Sequence, residues 1–257
     1  MERIFHLWWN AISSFKEKSW GKKYIFEKFF SKTYITDVIE RNSLNKYKDV
    51  LEELLNIISS SSGSLTNPTK LSNTFNSIKK YCISASTINN YLEKFIDAFI
   101  LHKVYRYDVK GKKYIDTPLK YYFEDVGLRN ARLNFKQQEE NRIMENIIYN
   151  ELIMRGFDID IGVVEYNFKD EFGKSKRIQY EIDFVAESGS RRVYIQSTIN
   201  ISSTEKREQE SKSLNKVDDS FKKIIAIKDD IIPWYDEKGI LYVGIKQFLL
   251  DESIIGY

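Results

Sequence analysis

At 257 residues, 42% hydrophobic and 14% aromatic, the chain can bury one large core or two smaller ones. Charged residues make up 30% and nearly cancel to +3, which excludes a disordered chain of low hydrophobicity and high net charge. The single cysteine, Cys82, excludes an intramolecular disulfide and fits a reducing compartment, so the cytoplasm is the expected location.

The opening "MERIFHLWWNAISSF" is apolar in part, but Glu2, Arg3 and His6 interrupt it. It reads as neither a signal peptide nor a membrane span, and no membrane partner is expected. Residues 1–36 are read as an N-terminal helical segment, whose Trp8–Trp9 pair packs on a neighbour or, if exposed, marks an interface. Helices are expected from about residue 12 to residue 60, with Val38, Ile39, Leu51, Leu54, Leu55 and Ile58 at helical spacing. "SSSSGS" breaks them. "NPTKLSNTF" predicts a short helix with Asn67 as cap and Pro68 in its first position. "SASTINNYLEKFIDAFIL" predicts another, with Ser84 or Ser86 as cap and Ile88, Leu92, Phe95, Ile96 and Phe99 recurring at the helical period. "HKVYRYDVKGKKYID" reads as a hairpin over Val104–Val109 and Lys113–Asp116.

Helix, short helix, helix, hairpin is the order of a winged helix-turn-helix, assigned to residues 37–120. Its last helix would present Ser86, Thr87, Asn89 and Asn90 to base edges or phosphates. Its wing would bring Arg106, Lys110, Lys112 and Lys113 to a DNA backbone. Charge supports a polyanion partner for this half: residues 1–135 hold 22 Lys/Arg against 14 Asp/Glu, whereas 136–257 hold 18 against 23. Solvated helix faces would give the same asymmetry, and many winged helices contact only protein.

Pro118 is expected to end the wing, and "GLRNARLN" reads as a polar loop. "QQEENRIMENIIYNELIMRGF" is a strong helix, with Gly156 at its C-terminal end. Strands "DIDIGVVEYNF", "RIQYEIDFVAE" and "RRVYIQSTI" follow, then a helix over about Ser203–Asn215, strands "KKIIAIKD" and "GILYVGI", and a last short helix. This predicts an α/β (α+β) arrangement around a mixed sheet over residues 121–257. No glycine-rich phosphate loop of the GxxxxGK[ST] type occurs, so no ATP site is expected in this chain.

The helix–strand–strand order of the second half resembles the core of PD-(D/E)XK nucleases, a restriction-endonuclease-like fold. That resemblance implies Glu145 from the helix, Asp183 from one strand and Gln196 from the next as catalytic positions, with Glu145 and Asp183 as ligands of Mg²⁺. The family's lysine position falls on Thr198, which carries no charge; Lys206 or Lys212 on the next helix could substitute. Other readings stay open. Glu145 fits a solvated helix position. Asp183 alternates with Ile182 and Phe184, so it shares a face with Glu181, where both could be solvated or paired with Arg191 or Arg192. Gln196 fits a structural role.

The segments "YITDVIERN", "SSSSGSLTNPTKLSNTFNS", "STINNYLEKFIDAFIL", "MENIIYNELIMRGFDIDIGVV", "YEIDFVA" and "YIQSTIN" occur in an order that resembles the C-terminal region of prokaryotic AAA-type ATPases. In those proteins a P-loop ATPase domain precedes a winged-helix segment and a nuclease-like domain. The resemblance covers roughly residues 20–250. It implies an ATPase, but no Walker A or Walker B pattern occurs here and Thr198 departs from the nuclease motif. The expectation is therefore a module with a degenerate nuclease-like site that binds nucleic acid or recognises a partner, either DNA or a separate ATPase or other protein. A Mg²⁺-dependent DNA endonuclease and a protein–protein interaction module are the alternatives.

Overall fold

A computed structural model describes residues 36, 38–42, 47–79, 82–136 and 139–256. The Trp8–Trp9 pair, His6 and nearly all of the 1–36 segment lie outside the described residues. The chain divides into two compact units. The first comprises the described residues up to 62, Pro68–His102 and 123–136. The second comprises Gly63–Asn67, Lys103–Tyr122 and 139–256.

The first unit is helical. Helix α1 (Lys48–Ser61) buries Leu51, Leu54, Leu55 and Ile58, the spacing of one helix face. It ends in serines that bond back to its carbonyls: Ser59 Oγ donates to Leu55 O at 2.7 Å and Ser61 Oγ to Ile57 O at 2.9 Å. Helix α2 (Pro68–Lys79) opens on its proline, as expected, and packs against α3 (Ala85–Asp97). Ser84, not Ser86, caps α3, accepting the Thr87 N–H at 3.1 Å. The "GLRNARLN" segment, expected as a loop, is helix α4 (Val126–Arg132). Asp125 caps it through the N–H groups of Gly127 and Leu128. Its arginines make it look polar, but Arg129 is fully buried and donates from Nε to Ser59 O at 3.1 Å.

The second unit is built on an eight-stranded mixed sheet in the order β2-β1-β3-β4-β5-β6-β8-β7. Strands β1 (Leu101–Asp108) and β2 (Lys113–Phe123) are the residues read as a wing. They form no free-standing hairpin. β1 pairs in parallel with β3 (Asp158–Lys169), with Arg106, Tyr107 and Asp108 opposite Ile161, Gly162 and Val163. Residues 103–122 therefore group with the sheet rather than with the helices, and a module boundary at 120 cuts through β2. Pro118 does not end the strand but lies within it, tolerated because β2 is outermost. Residues 63–67 lie along the same strand, where Thr66 and Leu119 exchange two backbone hydrogen bonds, of 2.8 and 2.7 Å.

β3, β4 (Ser175–Ser188) and β5 (Arg191–Thr198) form the expected antiparallel meander. Helix α5 (Glu140–Met154) precedes it and closes on Gly156 at φ +77°, a conformation glycine adopts without strain. Helix α6 (Thr204–Ser211) follows, then β6 (Lys222–Ile227), β7 (Trp234–Tyr235), β8 (Ile240–Gly244) and α7 (Ile245–Leu250). β5, β6 and β8 are mutually parallel. Among the described residues, no helix is long and apolar enough to cross a membrane.

Apolar side chains cover both sheet faces. One face carries Tyr122, Ile161, Phe184, Ile195 and Ile224 beneath Met144, Ile148 and Leu152 of α5. The other carries Val164, Ile182, Val185, Tyr194 and Ile225 beneath Leu214 and Val217. Burying two such layers is the main drive for folding this unit.

Candidate functional site

Asp183 lies at a β-bulge. Along β3 the register advances two residues, from Asp160 to Gly162, while along β4 it steps three, from Val185 to Ile182. The extra residue falls at Asp183–Phe184, opposite Ile161. Strict alternation therefore fails here: Ile182 and Val185 share one sheet face, and Phe184 packs on the other with Tyr122 and Tyr149. The expected arrangement, with Asp183 opposite both Ile182 and Phe184, does not hold.

The bulge also ends the β4–β5 ladder, whose last pair in this direction is Phe184 with Ile195. Side chains continue the bonding. Gln196 Oε1 accepts the Asp183 N–H at 3.3 Å. Asp183 Oδ2 accepts the Ser197 N–H at 2.8 Å and the Ser197 hydroxyl at 2.7 Å. Gln196 thus compensates a backbone donor that the bulge has detached.

Glu145, on α5, faces the same region and accepts at Oε1 from Lys120 Nζ at 2.8 Å and from the Tyr122 hydroxyl. Lys120 Nζ also lies 2.8 Å from Glu181 Oε1. The lysine side chain is 4% exposed. Asp183 and Glu181 pair with neither Arg191 nor Arg192; Arg191 donates to Gly256 O and Arg192 pairs with Glu187. Burial, reinforced by the Glu145 charge, pushes the Asp183 carboxyl up to about 7, against the pull of Lys120 and Ser197. Burial disfavours the Lys120 ammonium, but the carboxylates of Glu145, Asp183 and Glu181 outweigh it and hold its pKa above the ordinary lysine value. Burial and the adjacent Glu145 raise the Tyr122 phenol well above its usual value, so it stays protonated as a donor.

Glu145, Asp183 and Gln196 converge on one open polar pocket, which Asn141, Ser197, Thr198, Asn200, Lys206 and Glu210 also line. Thr198 is buried and donates to Asn200 O at 3.2 Å. Of the two candidate lysines, Lys206 reaches the pocket and pairs with Glu210 at 2.7 Å, whereas Lys212 lies over the Tyr180 ring. Sequence reasoning missed Lys120, Tyr122 and Ser197. Ser197 adjoins Gln196 and was within reach of the motif; the pair on β2 precedes the acids by a long stretch of chain.

The donor set does not fit a resident magnesium ion. Among the described residues, no group of three or more His, Cys, Asp or Glu is placed to hold a metal. Glu145 Oε1 and Asp183 Oδ2 each already accept two hydrogen bonds, and an ammonium lies against Glu145.

The eight expected nucleic-acid contacts fall in different units. Ser86, Thr87, Asn89 and Asn90 lie in the first turns of α3 in the helical unit, with Ser86, Asn89 and Asn90 exposed. Arg106, Lys110, Lys112 and Lys113 belong to the sheet unit. Lys110, Lys112 and Lys113 are exposed around the β1–β2 turn, where Lys110 pairs with Asp218 at 3.5 Å. Arg106 is half-buried and donates to Gln179 Oε1 at 3.4 Å. Asp108 shapes the turn by accepting the Gly111 N–H at 2.9 Å, and a Cβ on Gly111 would press against that carboxylate.

Compared with known proteins, residues 13–139 match a family model described as a domain of unknown function (DUF8612). The chain is similar to an uncharacterised protein of Haemophilus influenzae, 30% identical over 204 residues, or 79% of this chain and 46% of that protein. It is also similar to an uncharacterised protein of Methanocaldococcus jannaschii, 30% identical over 234 residues, or 90% of this chain and 47% of that protein. No solved structure matches. The chain thus spans just under half the length of the curated relatives it matches.

Proposed function

We propose that the chain is the C-terminal part of an AAA-type ATPase family member. In this reading it is a cytoplasmic nucleic-acid-binding module whose nuclease-like domain has lost catalysis. The observation that carries the reading is the convergence of Glu145, Asp183 and Gln196 on one polar pocket, from a helix and two successive strands in the order α-β-β-β-α-β. Lys206 at that pocket offers a cation to a phosphate, and the exposed lysines of the β1–β2 turn offer three more. The helical unit with its polar α3 N-terminus stands for the winged-helix part. Relatives about twice as long leave room for an ATPase half beside the part that this chain matches. Loss of catalysis follows from Thr198 in the lysine position and from the carboxylates being committed to Lys120, Tyr122 and Ser197.

The test is binding and cleavage of single- and double-stranded DNA with Mg²⁺ and Mn²⁺, at two salt concentrations, with Asp183→Ala as control. The expected result is binding that weakens with salt and no cleavage. Cleavage that disappears in Asp183→Ala would establish the alternative, a metal-dependent endonuclease, which the convergence of the three motif residues also favours. No binding to either DNA would refute the nucleic-acid reading and leave partner recognition.

A further inference from the structure

The acids of the pocket surround a cation that the chain itself supplies. Lys120 enters from β2 with its side chain almost fully buried, and its Nζ stands 2.8 Å from both Glu145 Oε1 and Glu181 Oε1. Asp183, the third acid, adds to the field that stabilises the ammonium. Tyr122, two residues along the strand and hence on the same face, donates its hydroxyl to the same Glu145 oxygen. Three carboxylates from α5 and β4 are thus gathered about one lysine, and two of them line the open pocket.

We propose that Lys120 is the resident cation beside this pocket, a buried ammonium standing against its acids where a nuclease-like scaffold would carry a divalent metal, so the pocket binds its ligand without one. The inference rests on the nuclease-like reading of the pocket. Its physical basis is exclusion. A divalent ion at Glu145 would meet a buried positive charge within contact distance of the same oxygen, and would have to break bonds from Lys120, Tyr122 and Ser197 to complete an oxygen shell. The converse also follows. Two carboxylate oxygens already stand 2.8 Å from a common point. Moving each inward by about 0.5 Å would reach the coordination distance of a hard cation. Replacing Lys120 with an uncharged side chain of similar length should therefore turn an ammonium site into a metal site.

The experiment is a Mn²⁺ titration of the full chain, followed by the electron paramagnetic resonance signal of free Mn²⁺ and by the thermal midpoint, in wild type, Asp183→Asn, Lys120→Met and Lys120→Met/Asp183→Asn. Wild type should neither take up Mn²⁺ nor shift its midpoint. Lys120→Met should bind one Mn²⁺ per chain at least roughly tenfold more tightly, with a midpoint that rises with Mn²⁺, and the second substitution should abolish both effects. Wild-type uptake that Asp183→Asn removes would overturn the proposal, as would Lys120→Met binding no tighter than wild type. The wild-type arm needs no substitution at Lys120, so it can overturn the proposal even if Lys120→Met does not fold. No nucleic acid enters this titration, so its outcome is separate from that of the DNA-binding test.

Discussion

Gly162 of β3 lies so close to Ile182 of β4 that a Cβ on the glycine would stand 2.9 Å from the isoleucine Cβ and 2.9 Å from Val185 Cγ2. The bulge puts Ile182 and Val185 on one face, and both close over Gly162. A residue with no side chain is the counterpart that lets β4 carry its extra residue at Asp183. Gly162→Ala should cost about 1–3 kcal/mol, the range for overpacking a filled core. Urea denaturation measures this; an unchanged midpoint would show that the bulge does not depend on the glycine.

Asp183 makes stability depend on pH. Its folded pKa of about 7 exceeds the ordinary 3.8, so between those values the folded chain holds a proton that the unfolded chain has released. Its contribution to stability is therefore fully present below about pH 4 and is lost as pH rises through 7, on the order of a few kcal/mol. Asp183→Asn should remove that part of the slope. Denaturation midpoints of both proteins across this window test it, and parallel curves would contradict it.

Ser197 tunes that carboxyl through its hydroxyl as well as its backbone N–H. Ser197→Ala keeps the backbone donor and loses the other. The charged form of Asp183 then has one donor fewer, so its pKa should move further up, with a stability loss of about 1 kcal/mol near neutral pH. A carboxyl ¹³C titration by NMR reads the shift directly. A downward movement would mean the hydroxyl bonds the protonated acid instead.

Arg132 ties α4 to α1 in the helical unit. Its Nε donates to Asn56 Oδ1 at 3.0 Å, its Nη2 to Glu52 O at 2.9 Å, and its Nη1 lies 3.6 Å from Glu52 Oε2. Arg132→Ala leaves these acceptors without the guanidinium and should cost about 2–3 kcal/mol. Hydrogen exchange should localise the loss to α4; undiminished protection there would show that apolar packing alone holds the helix.

Elements whose apolar residues follow one period could be read from the chain. Helices α1, α3 and α5 and strands β3 to β6 were legible because periodicity is local and survives in any tertiary setting. α4 was not, because Arg129 and Arg132 spend their polarity inside, on backbone carbonyls of a helix far away in sequence. Nor was the place of the hairpin. Its residues are compatible with a free wing, and only the parallel pairing of β1 with β3 puts them in the sheet.

The candidate site divides in the same way. Glu145, Asp183 and Gln196 could be named from the sequence because the helix–strand–strand order resembles a nuclease core, and that resemblance implies which positions meet. Thr198 could be recognised as uncharged at once. The ion pairing that sets the chemistry could not, because Lys120 precedes its partners by a long stretch of chain and lies on a strand that joins the sheet only through tertiary pairing. A one-residue bulge, invisible to alternation, turns Asp183 and Phe184 away from the face that carries Ile182 and Val185. Sequence periodicity determined which segments form helices and strands, and the residues on them determined which acids are available. Register and long-range charge pairing, which depend on distances in space rather than along the chain, decided that those acids surround a lysine.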